Sequence, residues 1–179
     1  LTAARPETPW EAVTVGMHPT IRGGRGVSRF GGLGADEAER STRALACLEV
    51  LVDLFRRGMR EPLPLFCESS AAYAAALRDG KDTSDAIRNA AAKFDNQWSF
   101  DGEIEDAEHR FVFGDIGSLD DILAIDPLPD EGGAGWFSTE TTRFGLLARR
   151  LWNDPLGLGV VETGCGGRRG RPHQTAPTS

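Results

Sequence analysis

Lysine is nearly missing from this chain: Lys81 and Lys93 are two of its 20 basic residues, and arginine supplies the rest. Together with abundant alanine, glycine and aspartate, this is the bias of GC-rich bacterial coding. Acids outnumber bases, and the formal net charge of -7 argues against a free-standing nucleic-acid binder, which carries a basic surface. Any contact with nucleic acid has to be local or shared with a partner. Cysteine is scarce as well. Cys47, Cys67 and Cys165 stand in no paired or metal-ligand spacing, so they read as reduced cytosolic thiols. No apolar run approaches the roughly 18 residues needed to cross a bilayer, and no signal peptide is visible. A cytoplasmic protein without a membrane partner is the expectation. Leu1 in the place of an initiator Met reads as the start of a fragment of a longer chain.

The usual catalytic patterns are missing too. There is no G-x-x-x-x-G-K-[ST] phosphate loop, and "GGRGVSRFGGLG" (residues 23–34) has the wrong spacing and no lysine. A serine-type hydrolase needs a nucleophile elbow and a histidine. His18 and His173 have no obvious partner, and His109, beside Asp106 and Glu108, reads as a surface or structural histidine opening a strand. A metal-dependent nuclease needs carboxylates and a lysine converging on a divalent ion. Asp79-Gly80-Lys81 is the sole acid-x-lysine match of the PD-(D/E)XK kind, and it falls at a helix end where the glycine favours a turn. An EF-hand count places Gln97, Ser99, Asp101, Gly102 and Glu108 at loop positions one, three, five, six and twelve. Gln97 brings no charge, and a strand is expected next, so the loop is rejected. No catalytic residue and no metal ligand is nominated.

What is present is a folded domain of helices and a few strands. At 179 residues and 40% hydrophobic content the chain can bury a core. Residues 10–15 alternate like a strand, with residues 27–33 as partner across a glycine-rich loop. Asp36 with Glu39 starts a helix running to about Arg57, with Leu45, Leu48, Val52 and Phe55 at helical spacing. Arg56 and Arg57 suit the negative end of its dipole, Gly58 its cap, and Pro62 and Pro64 stop it. Further helices are expected from Ser69 or Ser70, from a cap at Thr83 or Ser84, and from a cap at Ser138 or Thr139, the last with Phe144, Leu147 and Leu151 inward. "HRFVFGD" (residues 109–115) reads as a strand. After Trp152 the periodic apolar pattern ends. Residues 153–179 are expected to be a disordered tail. Its Arg168, Arg169 and Arg171 read as compositional drift rather than a nucleic-acid contact.

"LVDLFRRGMREPLPLFCESSAAYA", residues 51–74, resembles the C-terminal domain of RecC, the gamma chain of exodeoxyribonuclease V. The signposts are Gly58-Met59, Pro62-Leu63-Pro64, then Ser69, Ser70, Ala71 and Tyr73. Trp98, "DGEIEDAEHRFVFG" and "RFGLLARRLW" extend the likeness over roughly residues 9–152. The glycine-rich loop and residues after 152 depart from it. The resemblance implies an α/β domain, a mixed sheet flanked by helices, like an inactive PD-(D/E)XK nuclease. It implies a non-catalytic part of a DNA end-processing helicase-nuclease. RecB-like and RecD-like partners would supply the ATP and Mg2+ chemistry, and the assembly would handle double-stranded ends and separated single strands. No cofactor is expected on this chain itself. Within that frame, Arg22, Arg25 and Arg29 are the candidate DNA contacts, and Met59, Leu63, Leu65 and Phe66 the candidate partner contacts. The rivals are an active nuclease using Asp79, Lys81 and acids of residues 101–115, and an interaction domain unrelated to DNA.

Overall fold

In the computed structural model, residues 1–17, 25–95 and 102–162 are described, with 17, 25, 28 and 154–162 given by backbone alone. Strand β1 (Ala12–Met17) pairs antiparallel with β2 (Arg25–Phe30), Val15 opposite Val27, as the alternation predicts. Helix α1 (Glu37–Gly58) begins at Asp36, whose carboxylate accepts the Glu39 N–H at 2.8 Å while Glu39 accepts the Ala35 N–H at 2.8 Å. Gly58 is the last helical residue rather than the cap, which falls on Met59. The Arg57 carbonyl then accepts from both Arg60 and Glu61, and Pro62 prevents continuation.

Helix α2 (Cys67–Arg78) starts two residues before the nearer serine because its cap comes from far away in sequence. The Glu103 carboxylate accepts the N–H groups of Glu68 and Ser69 at 2.6 and 2.9 Å. Helix α3 (Thr83–Phe94) is capped by Asp82, one position ahead of the expected Thr83. A short 3-10 turn (Glu103–Glu105) leads to α4 (Ala107–Phe113), a helix in place of the expected strand. A short apolar run fits either period. Asp106 settles this one by capping Glu108 and His109, and Gly114 at φ 79° closes it. Helix α5 (Leu119–Leu123) carries a Ser118/Asp121 capping box. Helix α6 (Arg143–Leu158) starts later than Ser138, with the Thr142 hydroxyl accepting the Gly145 N–H at 3.1 Å. It also runs six residues beyond Trp152, into the segment expected to be tail, and β3 (Gly159–Glu162) follows at once against β2. Residues 163–179, with Cys165 and His173, lie outside the described residues.

The fold is therefore α/β as expected, but its sheet is a three-stranded antiparallel one, order β1-β2-β3, not a mixed sheet. Val13 and Val15 on β1 remain 48% and 66% exposed, so the core lies elsewhere. It is built by α2, α3, α5 and α6 around Phe66, Tyr73, Phe94, Leu119, Ile122 and Phe144. Ala76, Ala86 and Ala90, all but fully buried, let the α2 and α3 backbones approach closely. Each large side chain so buried contributes about 1.5–3 kcal/mol. Gly145 is required by packing: a Cβ there would lie 3.0 Å from the Tyr73 hydroxyl and 3.0 Å from Thr142 Oγ1.

Candidate functional site

The residues expected at functional surfaces separate when placed on the fold. Arg22 lies outside the described residues, and Arg25 opens β2. Arg29, also on β2, is exposed and lies 3.4 Å from Glu11, which places a carboxylate beside a candidate phosphate contact. Met59 projects into solvent at 73% exposure. Leu63 and Leu65 are half-buried. Phe66 is corrected from surface to core: its ring packs edge-on against Phe94 at 4.9 Å and His109 at 4.7 Å. Pro64 is buried with it, so the Pro-Leu-Pro-Leu-Phe segment turns inward.

The described residues of the rival nuclease reading serve as caps or stand in a turn. Asp79 is the α2 C-cap, Gly80 takes φ 82° in the turn, and Lys81 is exposed beyond it. Glu103 and Asp106 are occupied as caps of α2 and α4. Among the described residues no three His, Cys, Asp or Glu side chains stand close enough to hold a metal ion. Gln97, Ser99 and Asp101 of the rejected calcium loop lie outside the described residues, as does Trp98. His109 sits on α4, its Nδ1 3.0 Å from the Glu103 carbonyl, in a structural position.

The most organised polar feature has no counterpart in the sequence reading. Arg57, which the sequence presents as a solvated cation at a helix end, is 6% exposed. It reaches Asp53 at 3.1 Å and Asp130 at 2.9 Å, and its guanidinium lies 5.3 Å from the Trp136 ring centre. Burial would lower its pKa, but hydrogen bonds to Asp130 and Asp53 outweigh that and hold it above its usual value. Arg143 donates through Nε to both oxygens of Glu131 at 3.0 and 2.9 Å, and through Nη2 to Glu61 at 2.8 Å. The Glu131 side chain has no solvent exposure. Arg150 stacks on Trp136 at 4.0 Å and pairs with Asp53 at 3.0 Å, its pKa lowered chiefly by burial. Four separate stretches, the end of α1, Glu61, residues 130–136 and α6, are locked together here.

A second polar cluster fixes α2 to α6. The Tyr73 hydroxyl donates to Glu140 at 2.8 Å, and Glu140 also receives Arg149 at 3.1 Å. Ser70 donates to the Phe66 carbonyl and accepts from Trp152 Nε1 at 2.9 Å. Burial, then the hydrogen bond to the Glu140 carboxylate, pushes the Tyr73 phenol above its ordinary pKa of 10.0. A group with a raised folded pKa holds its proton more tightly when folded. The stability it contributes is complete below pH 10 and declines as pH rises above it. Tyr73 is the one tyrosine in the chain, so tyrosinate absorbance reports it alone. Titration of the native protein should begin well above the midpoint found in denaturant, and Tyr73→Phe should remove part of the alkaline loss of stability. Coincident native and denatured titrations would contradict the geometry.

Comparison with known proteins agrees with the motif of residues 51–74. The model of the RecC C-terminal domain matches residues 10–78. Two curated relatives, each a RecBCD enzyme subunit RecC from Mycobacterium tuberculosis (strains CDC 1551 / Oshkosh and ATCC 25618 / H37Rv), are 35% identical to this chain over 112 residues. Each match covers 60% of this chain and 9% of the relative, so the chain spans under a tenth of the length of the curated relatives it matches. No solved structure matches. The resemblance to the RecC C-terminal domain read from residues 51–74 is thus shown, and it falls on α1, the proline segment and α2.

Proposed function

We propose that this chain is a C-terminal part of a RecC-type gamma subunit of exodeoxyribonuclease V. In that role it acts without chemistry of its own, supporting duplex splitting and strand handling during ATP-dependent processing of double-strand-break ends for recombinational repair. RecB-like and RecD-like partners use the ATP and Mg2+, and the complex works in the cytoplasm on DNA ends and the single strands drawn from them.

One observation carries the non-catalytic reading: the residues of the resemblance are holding residues. Gly58 and Pro64 shape the turn, Ser70 meets Trp152, Tyr73 packs its ring against Phe144 at 5.5 Å, and Glu61 meets Arg143. Two motifs some 80 positions apart form one scaffold, while among the described residues no three His, Cys, Asp or Glu side chains gather to hold a metal ion. Co-expression with the neighbouring genes should recover RecB-like and RecD-like subunits with this chain. Recovery of neither would favour an interaction domain unrelated to DNA. Magnesium- or manganese-dependent cleavage of linear duplex by the purified chain, abolished by Lys81→Ala, would favour the nuclease.

The DNA contact assigned to the β1–β2 region has its own expected result. In the assembled complex, replacing Arg22, Arg25 and Arg29 by alanine should weaken binding at low salt. The slope of log K against log salt should shrink by roughly 0.9 for each phosphate that an arginine no longer neutralises. Unchanged binding at low salt would remove these arginines from the interface.

A further inference from the structure

Helix α1 buries one side and carries an apolar stripe on another. Arg40, Ala44, Leu54 and Arg57 face inward and are buried. Leu45, Leu48, Val52, Phe55 and Met59 follow one another at alternating steps of three and four residues. They stand in solvent at 50%, 47%, 45%, 67% and 73% exposure, with Leu51 beside them at 49%. A three-four alternation is the seam of helix-on-helix packing. Glu49 and Arg56, one turn before and one turn after Val52, line one edge of this stripe, and neither meets a partner among the described residues. The early part of the stripe opens into an apolar cleft of about 190 Å³, lined by Leu1, Ala3, Leu33, Ala44, Cys47 and Leu48. Nucleic acid does not fit this face, which offers phosphates no row of donors.

We infer that the outer stripe of α1 seats an amphipathic helix from elsewhere in the same RecC-length subunit, with a base opposite Glu49, an acid opposite Arg56 and an apolar side chain in the cleft. This rests on the proposed function in one respect. The relatives are far longer than this chain, which covers 9% of their length, so most of such a subunit lies outside these residues. A segment of the same polypeptide has the highest effective concentration at the stripe.

The test uses the full-length subunit of the source genome, purified without partner subunits, with Val52→Cys or Phe55→Cys and Thr42→Cys as the exposed reference, on the same helix but beyond its first turn, where the helix N-terminus would lower a thiol's pKa. Alkylation followed peptide by peptide separates these thiols from the native cysteines. Val52→Cys and Phe55→Cys should react at least about tenfold more slowly than Thr42→Cys, because shielding limits access to the thiolate. Equal rates overturn the inference. So does slowing that develops only after RecB-like and RecD-like subunits are added, which assigns the stripe to a partner. Slowing that vanishes on dilution, together with a dissociating dimer in sedimentation, assigns it to a second copy and also overturns it. Failure to recover the partner subunits would sink the RecC reading and leave this labelling result intact.

Discussion

The Arg143→Met protein will unfold with about 3–5 kcal/mol less free energy than the parent, a large fraction of a typical domain's stability. Methionine keeps most of the stem volume, so the loss is one of charge rather than packing. It leaves the Glu131 carboxylate, with no solvent exposure, without the Arg143 Nε–H that reaches both its oxygens, and Glu61 without a bond of 2.8 Å. Arg57 approaches Glu131 only to 3.7 Å and is already committed to Asp53 and Asp130. By contrast, Arg29 with Glu11, both about half exposed, contributes about 0–1 kcal/mol. Burial is what separates the two pairs. A second change, Glu131→Gln, removes the stranded charge while keeping an acceptor for the Leu128 N–H, now bonded at 2.9 Å. The double variant should therefore regain at least half of the loss, which is the non-additivity expected of residues in one network. Urea unfolding checks both statements through the midpoint at constant slope. A loss below about 1 kcal/mol for Arg143→Met would mean that water reaches the Glu131 site.

How far the sequence foretells this architecture depends on where each determinant lies. The start of α1 is readable because Asp36 and Glu39 are three positions apart and act on each other's neighbourhood. Its end is readable because Pro62 and Pro64 act locally. The start of α2 is misplaced in the sequence reading because its cap, Glu103, is 35 positions from the N–H of Glu68. The strand expected at residues 109–115 fails for a related reason. His-Arg-Phe-Val-Phe suits either period, and the Asp106 cap with the packing of Phe113 on Phe66 decides it. The ionic network leaves no local trace at all. Arg57 at a helix end is equally consistent with a solvated cation, and only the approach of Asp130, Glu131 and Trp136 makes it a buried one. Conversely, Pro64, Ser70 and Tyr73, within the stretch that carries the resemblance, prove to be junctions of the fold, with Ser70 bonded to Trp152.

Met59 and Phe66, grouped from the sequence as one apolar surface, should behave oppositely when each is cut to alanine. Met59 is 73% exposed, and its truncation should alter stability by no more than about 0.5 kcal/mol. Phe66 is 1% exposed, and Phe66→Ala should cost about 3–5 kcal/mol through forfeited transfer energy and the cavity left behind. The upper part of that range is favoured by what surrounds the ring. Phe94 on α3, His109 on α4 and Phe113 on α4 pack on it with centroids at 4.9, 4.7 and 5.6 Å, so one truncation loosens α3 and α4 against the start of α2. Aromatic pairs of this kind carry about 0.5–1.5 kcal/mol beyond the area they bury. Collapse around the gap is limited, because Pro64 stiffens the chain two residues earlier and the Phe66 carbonyl is held by Ser70. Amide exchange in α4 should accelerate in step with the global destabilisation, since Phe66 is the anchor of that short helix. A Phe66→Ala effect no larger than that of Met59→Ala would place the ring on the surface after all and return the whole proline segment to the interface.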